Sequence, residues 1–438
     1  MNKGKIYQSL FLIFLLFQGF AVYAQEAHAR WETMNLIRKE KLDIILPKAM
    51  RDNKIDMWIT MVKFGRPDPL SEDLGGGSPH DWYSKGRFLG YYVFTDRGGD
   101  RIERAALGVK PRDRSVYDIF IPAEDLKKFV TERNPLRIAV NISEYVGVAD
   151  GLSYTCYLDL VKTLGSKYAE RLVSAEKLIC DFRSQRVTSE IVLFGKAAEL
   201  SRQIMERALS NAVITPGVTT LGDVGWWIAD QILALGHKPF PGFPRVIYPI
   251  PFSSPDYIIQ PGDLVALHWK SEIMNFHCDL KRIGYVLPQG HTDVPPAIKD
   301  AFRQGLKALR LIRKHVKPGQ TGIKTLEFLY RKLEEAGYEI CHVEDQVSDS
   351  RNTEINIGWH SAGNGKHGVG PAIWTEKPFR REHELKPSHL MAFEYFIYYP
   401  LAEWDGKKLR LGFKEKVIIT ENGVDWLHPP IEKINIIR

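Results

Sequence analysis

Apolar positions change their spacing near residue 185 of the chain. Up to about Ser184 they form short runs of strand length, separated by glycine, proline and other turn residues. Two such runs, Gly90–Thr95 and Ile102–Leu107, flank the turn residues at 97–100 and predict a β-hairpin. This spacing indicates a mixed α/β domain, which we assign to residues 25–184.

Beyond residue 185 the apolar positions recur at helical spacing. A long helix is predicted from Thr188, and a second helix is predicted to follow Thr220 and to stop at Gly236. Large aromatic residues at helical spacing usually lie in a core, so Trp226 and Trp227 are predicted to be buried. The combination of helices and strands indicates an α/β (α+β) domain over residues 185–438.

This second part of the chain repeats itself. The turn at 215–219 precedes one predicted helix, and the matching turn at 317–321 precedes another, which ends at Gly337. Residues 261–268 and 387–394 then match position by position, and each predicted strand ends on a polar residue, His268 or Glu394. Two matches in the same order favour a duplicated α/β unit with His268 and Glu394 at equivalent points.

The first 24 residues differ in composition from the rest. Lys3 and Lys5 precede an unbroken apolar run from Leu10 to Phe17, and a small-residue exit follows at 22–24. This pattern predicts a cleaved secretory signal peptide and therefore export to the periplasm or out of the cell. The apolar run is far shorter than the roughly 20 residues that a membrane span needs, so no span is expected.

Charge and cysteine content exclude some classes of function. The 438 residues include 60 Lys and Arg against 53 Asp and Glu, and this surplus is spread thinly, without the basic stripe of a nucleic-acid-binding protein. An oxidising compartment permits disulfides, but the spacing of the four cysteines selects no pairing. The absence of a CxxC motif argues against a thiolate zinc site.

Five polar residues of the C-terminal part stand out as candidates for chemistry. Asp279 follows His268 across a predicted polar turn at 270–275, so a hairpin would bring the two side by side. His367 lies among glycines, which allow backbone to approach a ligand closely. Glu394 ends its predicted strand, and Lys414 comes just before the apolar strand at 417–420. Together these residues predict one site in a cleft.

The order of these motifs resembles the pita-bread metallopeptidase family, in the branch of Xaa-Pro aminopeptidase, prolidase and creatinase. The matching motifs are Gly262-Asp263, Asp279 with Arg282, His367-Gly368-Val369-Gly370, Phe393-Glu394 and Thr420-Glu421-Asn422-Gly423. The resemblance covers residues 188–425 and, less specifically, the N-terminal part. It implies a creatinase-like N-terminal α/β domain followed by a pseudo-twofold pita-bread catalytic domain.

The resemblance implies five metal ligands, in the order Asp, Asp, His, Glu and Glu. The corresponding positions hold His268, Asp279, His367, Glu394 and Lys414, so two of the five are substituted. The family's second loop histidine is also absent, because its position holds a tryptophan at 374. A one-residue bulge would bring Glu415 into the site in place of Lys414 and restore a carboxylate.

Charge balance favours at most one divalent ion at such a site. Asp279 and Glu394 supply only two carboxylates, and a protonated Lys414 offsets one of them, so two divalent ions would leave about three uncompensated charges. One zinc, manganese or iron ion would be held by Asp279, His367 and Glu394, with His268 as a fourth ligand. Alternatively, the Lys414 ammonium replaces the metal charge and the site is metal-free.

Three functions stay open from the sequence. The first, which the retained ligands favour, is an exported Xaa-Pro aminopeptidase-like hydrolase with one metal ion and Glu394 as base. The second is a metal-free, creatinase-like hydrolase with His268 or His367 as general base and Lys414 polarising the substrate. The third is a non-catalytic protein that binds peptides or partners.

The expected ligands are short peptides, including proline-containing ones. Trp374, His360 and Tyr395 are the aromatic residues that would line the substrate pocket. The resemblance also allows a homodimer, because relatives with this extra domain commonly dimerise.

Overall fold

The computed structural model describes residues 25–79, 89–239, 242–274, 276–342, 348, 350–364, 368–404 and 407–438. The predicted signal peptide and His367 lie outside the described residues. The chain divides into two compact units, Met1–Leu178 and Ile179–Arg438. Within the described ranges, none of the helices combines the length and the apolar character that a bilayer crossing requires.

A twisted six-stranded sheet forms the centre of the N-terminal unit, in the order β6-β4-β3-β1-β7-β8. Its strands are β1 (Met57–Lys63), β3 (Leu89–Thr95), β4 (Glu103–Leu107), β6 (Ile119–Ile121), β7 (Ile138–Val140) and β8 (Leu172–Ser174). A separate short pair consists of β2 (Ser78–Pro79) and β5 (Val109–Lys110). Strands β3 and β4 pair antiparallel, which confirms the predicted hairpin.

Helices of the N-terminal unit supply the rest of its core. They are α1 (25–40), which continues through the π-helical turn Lys41–Ile45 into α2 (Leu46–Asp52), then α3 (Leu126–Arg133), α4 (Tyr154–Leu164) and α5 (Ser166–Ala169). Leu126, Phe129 and Leu160 pack with strand residues such as Ile59 and Val93 in one buried cluster. Helix α6 (Glu176–Ser184) contains the division between the units, and the predicted boundary at residue 184 is its last residue.

The C-terminal unit contains a five-stranded sheet, a six-stranded sheet and most of the remaining helices. One sheet has the order β10-β11-β12-β19, with β9 beside β11, and the other has the order β13-β14-β16-β17-β18, with β15 beside β14. The strands of the first sheet are β9 (Lys238–Pro239), β10 (Arg245–Tyr248), β11 (Leu264–Ile273), β12 (Phe276–Val286) and β19 (Asn435–Ile437). Those of the second are β13 (Glu339–Ile340), β14 (Glu354–Ser361), β15 (Ala372–Trp374), β16 (Leu390–Pro400), β17 (Lys408–Thr420) and β18 (Gly423–Trp426). The helices are α7 (Thr188–Ala208), α8 (Leu221–Ala234), α9 (Pro296–His315), α10 (Gly322–Glu335) and α11 (Pro378–Arg381).

The predicted repeat is visible in two helix–hairpin pairs, α8 with β11-β12 and α10 with β16-β17. Each helix begins after a threonine whose hydroxyl accepts a backbone N–H, Thr220 from Asp223 at 3.0 Å and Thr321 from Lys324 at 3.4 Å. Each is followed by a glycine with positive φ, Gly236 and Gly337, as predicted. The two hairpins are the elements that position the polar site.

The strands of both hairpins are longer than predicted. Strand β11 continues past His268 to Ile273, so most of the predicted polar turn at 270–275 is strand. Strand β16 likewise continues past Glu394 to Pro400, and β17 begins at Lys408. The reason is that ladder pairing continues through the polar residues, for example Glu394 opposite Lys414. The candidate residues therefore lie in the middle of strands, where the backbone is held on both sides.

The prediction that both tryptophans of α8 are buried was wrong for Trp226. Its side chain is 60% exposed and meets the ring of Phe243 edge-on at 5.7 Å between centroids. The buried face of α8 consists instead of smaller residues such as Val224 and Ile228, and Trp227 packs against that core while partly buried.

Candidate functional site

Strand alternation brings acidic and basic side chains to one place. Successive side chains of a strand point to opposite faces, so Asp279 and Lys281 share one face of β12, as Lys414 and Lys416 share one face of β17. Glu394 on β16 lies directly opposite Lys414. We call these five residues the lysine–carboxylate cluster.

Every carboxylate oxygen of the lysine–carboxylate cluster contacts an ammonium group. Nζ of Lys414 lies 2.5 Å from Oδ2 of Asp279 and 2.7 Å from Oε2 of Glu394. Nζ of Lys281 lies 2.5 Å from Oε1 of Glu394, and Lys416 pairs with Oδ1 of Asp279. No side chain of the cluster is more than 10% exposed. The arrangement is therefore a buried ionic network of three cations and two anions.

The network keeps its groups charged despite burial. Burial alone would raise the pKa of Asp279, but the ammonium groups of Lys414 and Lys416 outweigh it and hold this pKa well below its usual range. Lys281 and Lys414 hold the pKa of Glu394 well below its range in the same way. Burial lowers the pKa of Lys281 to about 8 although Glu394 opposes the shift, whereas the two carboxylates raise the pKa of Lys414 despite its burial.

Two histidines flank the cluster, one beside each carboxylate. Nε2 of His268 lies 3.7 Å from Oδ2 of Asp279, and Nε2 of His360 lies 3.5 Å from Oε2 of Glu394. Burial lowers the pKa of both rings, so both are neutral near pH 7. Their side chains are 38% and 22% exposed, so both are more accessible than any side chain of the cluster.

Lys414, and not Glu415, faces the lysine–carboxylate cluster. Glu415 points to the opposite face of β17, where Nη1 and Nη2 of Arg282 donate to its two oxygens at 3.0 and 3.3 Å. The backbone N–H of Ile431 donates to Glu415 at 2.9 Å, and both charged side chains are at most 1% exposed. No bulge shifts the register, so the substituted ligand position holds an ammonium group.

Sequence reasoning missed Lys281 and Lys416. The spacing could have indicated them. Lys281 lies two residues after Asp279 and Lys416 two residues after Lys414, so each shares a strand face with a candidate residue. Gly412 also escaped notice. A Cβ at this position would lie 3.1 Å from Cδ of Lys281, so the glycine leaves room for that side chain to cross β17.

The predicted pocket residues lie in different environments. Tyr395 was wrongly predicted to line the pocket: it is fully buried, its ring stacks on Phe413 at 4.9 Å, and its hydroxyl donates to the Gly305 carbonyl at 2.9 Å. It points away from the cluster because it alternates with Glu394 on β16. Trp374 is partly exposed, and its ring centroid lies 6.2 Å from that of His360, beside the cluster.

The described residues do not fit a divalent ion. The oxygens of Asp279 and Glu394, which would be its ligands, already bind three ammonium groups, and a cation placed between them would meet Lys414. Among the residues that the structure describes, no group of three or more His, Cys, Asp or Glu is placed so that it could hold a metal ion. The three ammonium groups already exceed the charge of the two carboxylates by one.

Several solved structures share this fold over most of the chain. An X-Pro aminopeptidase from Thermotoga maritima matches with 17% identity and a TM-score of 0.59, covering 89% of this chain and 99% of its own. A Xaa-Pro dipeptidase from Bacillus anthracis matches with 16% identity and a TM-score of 0.56, covering 92% and 99%. A prolidase from Pyrococcus horikoshii matches with 18% identity and a TM-score of 0.57, covering 90% and 99%. These likenesses confirm the predicted α/β pita-bread fold.

Sequence comparison gives the same relationship. No curated protein matches the chain. The sequence profile of metallopeptidase family M24, however, matches residues 193–421, which include both hairpins and the whole lysine–carboxylate cluster. The chain therefore belongs to metallopeptidase family M24.

Proposed function

We propose that this protein binds short peptides in the cleft of its M24 domain without a metal ion. The observation that carries the proposal is the position of the Lys414 ammonium, 2.5 Å from Asp279 and 2.7 Å from Glu394. The class of ligand is inferred from proteins of the same fold, which act on Xaa-Pro peptides and dipeptides according to their names.

The cost of admitting a metal ion supports this proposal. A divalent ion between Asp279 and Glu394 would have to displace the Lys414 ammonium or lie beside it in a buried site. Displacement would break two buried ion pairs, and truncating one partner of such a pair typically costs about 3–5 kcal/mol. Lys281 and Lys416 would repel the ion as well, because their ammonium groups contact the same two carboxylates. The metal-dependent hydrolase that the sequence favoured is therefore the less well supported function.

Metal-free hydrolysis is the second candidate, and one observation favours it. The neutral imidazole of His268 is 38% exposed and lies 3.7 Å from Asp279, so a partly accessible base has a carboxylate to orient it. His268 would take a proton from water as the water oxygen attacks the peptide carbonyl, and the protonated imidazole would then give that proton to the amine that leaves when the C–N bond breaks. Against this candidate, the buried Lys414 is only 4% exposed and poorly placed to polarise that carbonyl.

Export is the remaining part of the proposal and rests on the sequence of the first 24 residues. Their basic start, apolar run and small-residue exit are the features of a cleaved signal peptide. Peptide binding would then take place outside the cytoplasm. Mass spectrometry of the protein secreted or exported by its host would detect a mature N-terminus at Gln25 if this is correct.

Calorimetric titration of the mature chain with MnCl₂, ZnCl₂ and a Gly-Pro peptide tests metal-independent binding. We expect peptide binding that EDTA leaves unchanged, and no binding of either metal at micromolar concentration. The variant Lys414→Gln removes the central ammonium and should bind metal more readily, while Lys433→Gln at an exposed position should behave as the wild type. About one tightly bound ion per wild-type chain, with peptide cleavage that EDTA abolishes, would overturn the proposal.

Hydrolysis of the same peptide separates the two candidates. The binding protein should release no product over many hours, with or without metal. Release of product in EDTA that His268→Gln abolishes would establish the metal-free hydrolase in its place.

A further inference from the structure

The lysine–carboxylate cluster carries more positive than negative charge. Within the described residues, its three ammonium groups form ion pairs with Asp279 and Glu394 alone. One positive charge therefore has no counter-charge inside a group of buried side chains. Because an uncompensated buried charge is costly, an anion brought by a ligand would be stabilised beside this cluster.

The ammonium groups also have more hydrogen-bond donors than the cluster has acceptors. An ammonium group carries three N–H donors. Across the part of the chain that the structure describes, the only acceptors that the three groups contact are the oxygens of Asp279 and Glu394. Nζ of Lys281 also lies 3.6 Å from the centroid of the Phe396 ring, which attracts the ammonium group but carries no net negative charge. The unused donors suit the oxygens of an anionic ligand.

The two histidines form the accessible edge of the cluster. His268 lies beside Asp279 and His360 lies beside Glu394, and both rings are partly exposed. An imidazole N–H can donate to an oxyanion. An anion at this edge would therefore meet the imidazole rings first and lie close to the ammonium groups behind them.

The same arrangement disfavours the amino group of a ligand. Each oxygen of Asp279 and Glu394 already contacts an ammonium group of the cluster. A ligand's ammonium group would compete for these oxygens and would be repelled by three like charges. Of the two ends of a short peptide, the carboxylate is therefore the one that suits the cluster.

An aromatic wall beside the cluster favours a peptide over a small inorganic anion. Trp374 pairs with Gly358 across β14 and β15, and a Cβ at 358 would lie 3.6 Å from the indole and 3.9 Å from Cγ of Glu394. The missing side chain thus leaves the indole close to the carboxylate. Trp374 is only partly buried, so its ring can pack against the last residue of a peptide.

We propose that the lysine–carboxylate cluster binds short peptides by their C-terminal carboxylate, at the edge formed by His268 and His360. The inference rests on the proposed function, because it names the part of the peptide that the cleft recognises. The surplus ammonium charge is the counter-charge of the bound carboxylate. An acidic side chain carries the same group, so the test separates the two sources.

Four short peptides test the inference. The first is Gly-Gln-Pro with both ends free, the second has an amidated C-terminus, the third has an acetylated N-terminus, and the fourth is amidated Gly-Glu-Pro. Affinities would be measured by calorimetry at constant ionic strength in the presence of EDTA. We expect amidation to weaken binding at least about tenfold, because charge-assisted hydrogen bonds are lost, and acetylation to change it less than about twofold.

Two variants assign this effect of amidation to the cluster. Lys281→Met keeps an apolar chain on Phe396 but removes the surplus charge, so amidation should weaken its binding less than about threefold. Lys270→Met is the matched control, because Lys270 is exposed and lies opposite Asp279 in the β11–β12 ladder. It should keep the full effect of amidation. Thermal unfolding of both variants would verify that they are folded.

The outcomes distinguish this inference from the proposed function. Equal affinity of the wild type for free and amidated Gly-Gln-Pro would overturn the inference while leaving peptide binding intact, and this result needs no variant. Loss of binding on acetylation would also contradict it, by showing recognition of the amino group. Tight binding of amidated Gly-Glu-Pro would replace the terminal carboxylate by the side chain and so contradict the proposal as stated.

The control variant decides a further point. If Lys270→Met reduced the effect of amidation as much as Lys281→Met, general electrostatic attraction would explain that effect and the inference would be overturned. Binding of no peptide would overturn the proposed function together with the inference.

Discussion

Gly412 and Lys281 share the same small space above β17. A Cβ at 412 would lie 3.1 Å from Cδ of Lys281 and 2.9 Å from Cε1 of Phe396, so only the missing side chain lets Lys281 reach Glu394. The cluster thus depends on a residue that carries no charge.

Replacing Gly412 by alanine should therefore destabilise the protein. The added methyl group forces Lys281 or Phe396 to move, and overpacking of this kind typically costs about 1–3 kcal/mol. The free energy of unfolding in urea would measure the loss. Gly195→Ala, on α7 with its nearest neighbour at an ordinary 3.6 Å, is the control and should be neutral or slightly stabilising. An equally stable Gly412→Ala variant would contradict the account of the crowded position.

A substitution of Glu415, on the opposite face of β17, tests which side chains of this strand face the cluster. Glu415→Gln would remove the buried partner of the Arg282 guanidinium and leave it only the ion pair with Glu206 at 3.3 Å, and loss of one partner of a buried pair typically costs about 3–5 kcal/mol. Peptide affinity of the folded variant should nevertheless stay within about twofold of wild type, because Glu415 faces away from the cleft. Thermal unfolding and calorimetry on the same preparation give both values. A large loss of affinity in a folded variant would place Glu415 in the site.

His428 makes stability depend on pH. Burial lowers its pKa to about 3, and the ring is held neutral because Nε2 accepts the Lys416 N–H at 3.2 Å while Nδ1 lies 2.9 Å from the Pro429 carbonyl oxygen. The pKa of His428 in the folded protein is lower than its value near 6.5 in the unfolded chain. As the pH falls below about 6.5, the unfolded chain therefore takes up a proton first, and the free energy of unfolding decreases. The loss is about 1.4 kcal/mol per pH unit below roughly 6.5, or about 2 kcal/mol by pH 5.

Urea titrations at pH 7 and pH 5 would measure this dependence. His277, whose pKa is lowered to about 4 by burial, adds to the same slope. His428→Asn should therefore show a shallower fall than wild type, and His291→Asn, at an exposed position, should not change it. A wild-type slope that His428→Asn leaves unaltered would contradict the assignment.

The four cysteines, Cys156, Cys180, Cys278 and Cys341, are buried and form no disulfide with one another. Because the thiolate is the reactive form, burial protects them, and it raises the pKa of Cys278 to about 11. We expect no reaction with Ellman's reagent in the native protein and release of about four equivalents in guanidinium. Fewer equivalents from the unfolded, unreduced protein would indicate a disulfide.

Much of the fold was predictable because its signals are local. Thr220 and Thr321 mark helix starts, Gly236 and Gly337 mark helix ends, and a matched pair of strands revealed the duplication. The positions of His268 beside Asp279 and of Lys414 opposite Glu394 follow from the same pattern. The ends of the strands were harder to predict, because the sequence does not distinguish a polar residue within a strand from a polar residue in a turn.

The nature of the site was harder to predict because it depends on long-range neighbours. Lys281 and Lys416 are ordinary lysines in sequence, and only the meeting of β12, β16 and β17 places both beside carboxylates. The prediction for Tyr395 was wrong because its hydroxyl donates to the Gly305 carbonyl on α9. This contact joins distant parts of the chain, so no local sequence pattern predicts it.

In the proposed metal-free site the counter-ions are the protein's own side chains, so the site would be complete as soon as the chain has folded. Lys281, Lys414 and Lys416 are part of the chain, and the site would therefore not depend on the supply of trace elements. The ion pairs of the cluster also connect strands from both duplicated halves. Neither a chelator nor a competing metal ion would remove these connections. Such a protein would keep the same state in metal-poor and metal-rich surroundings.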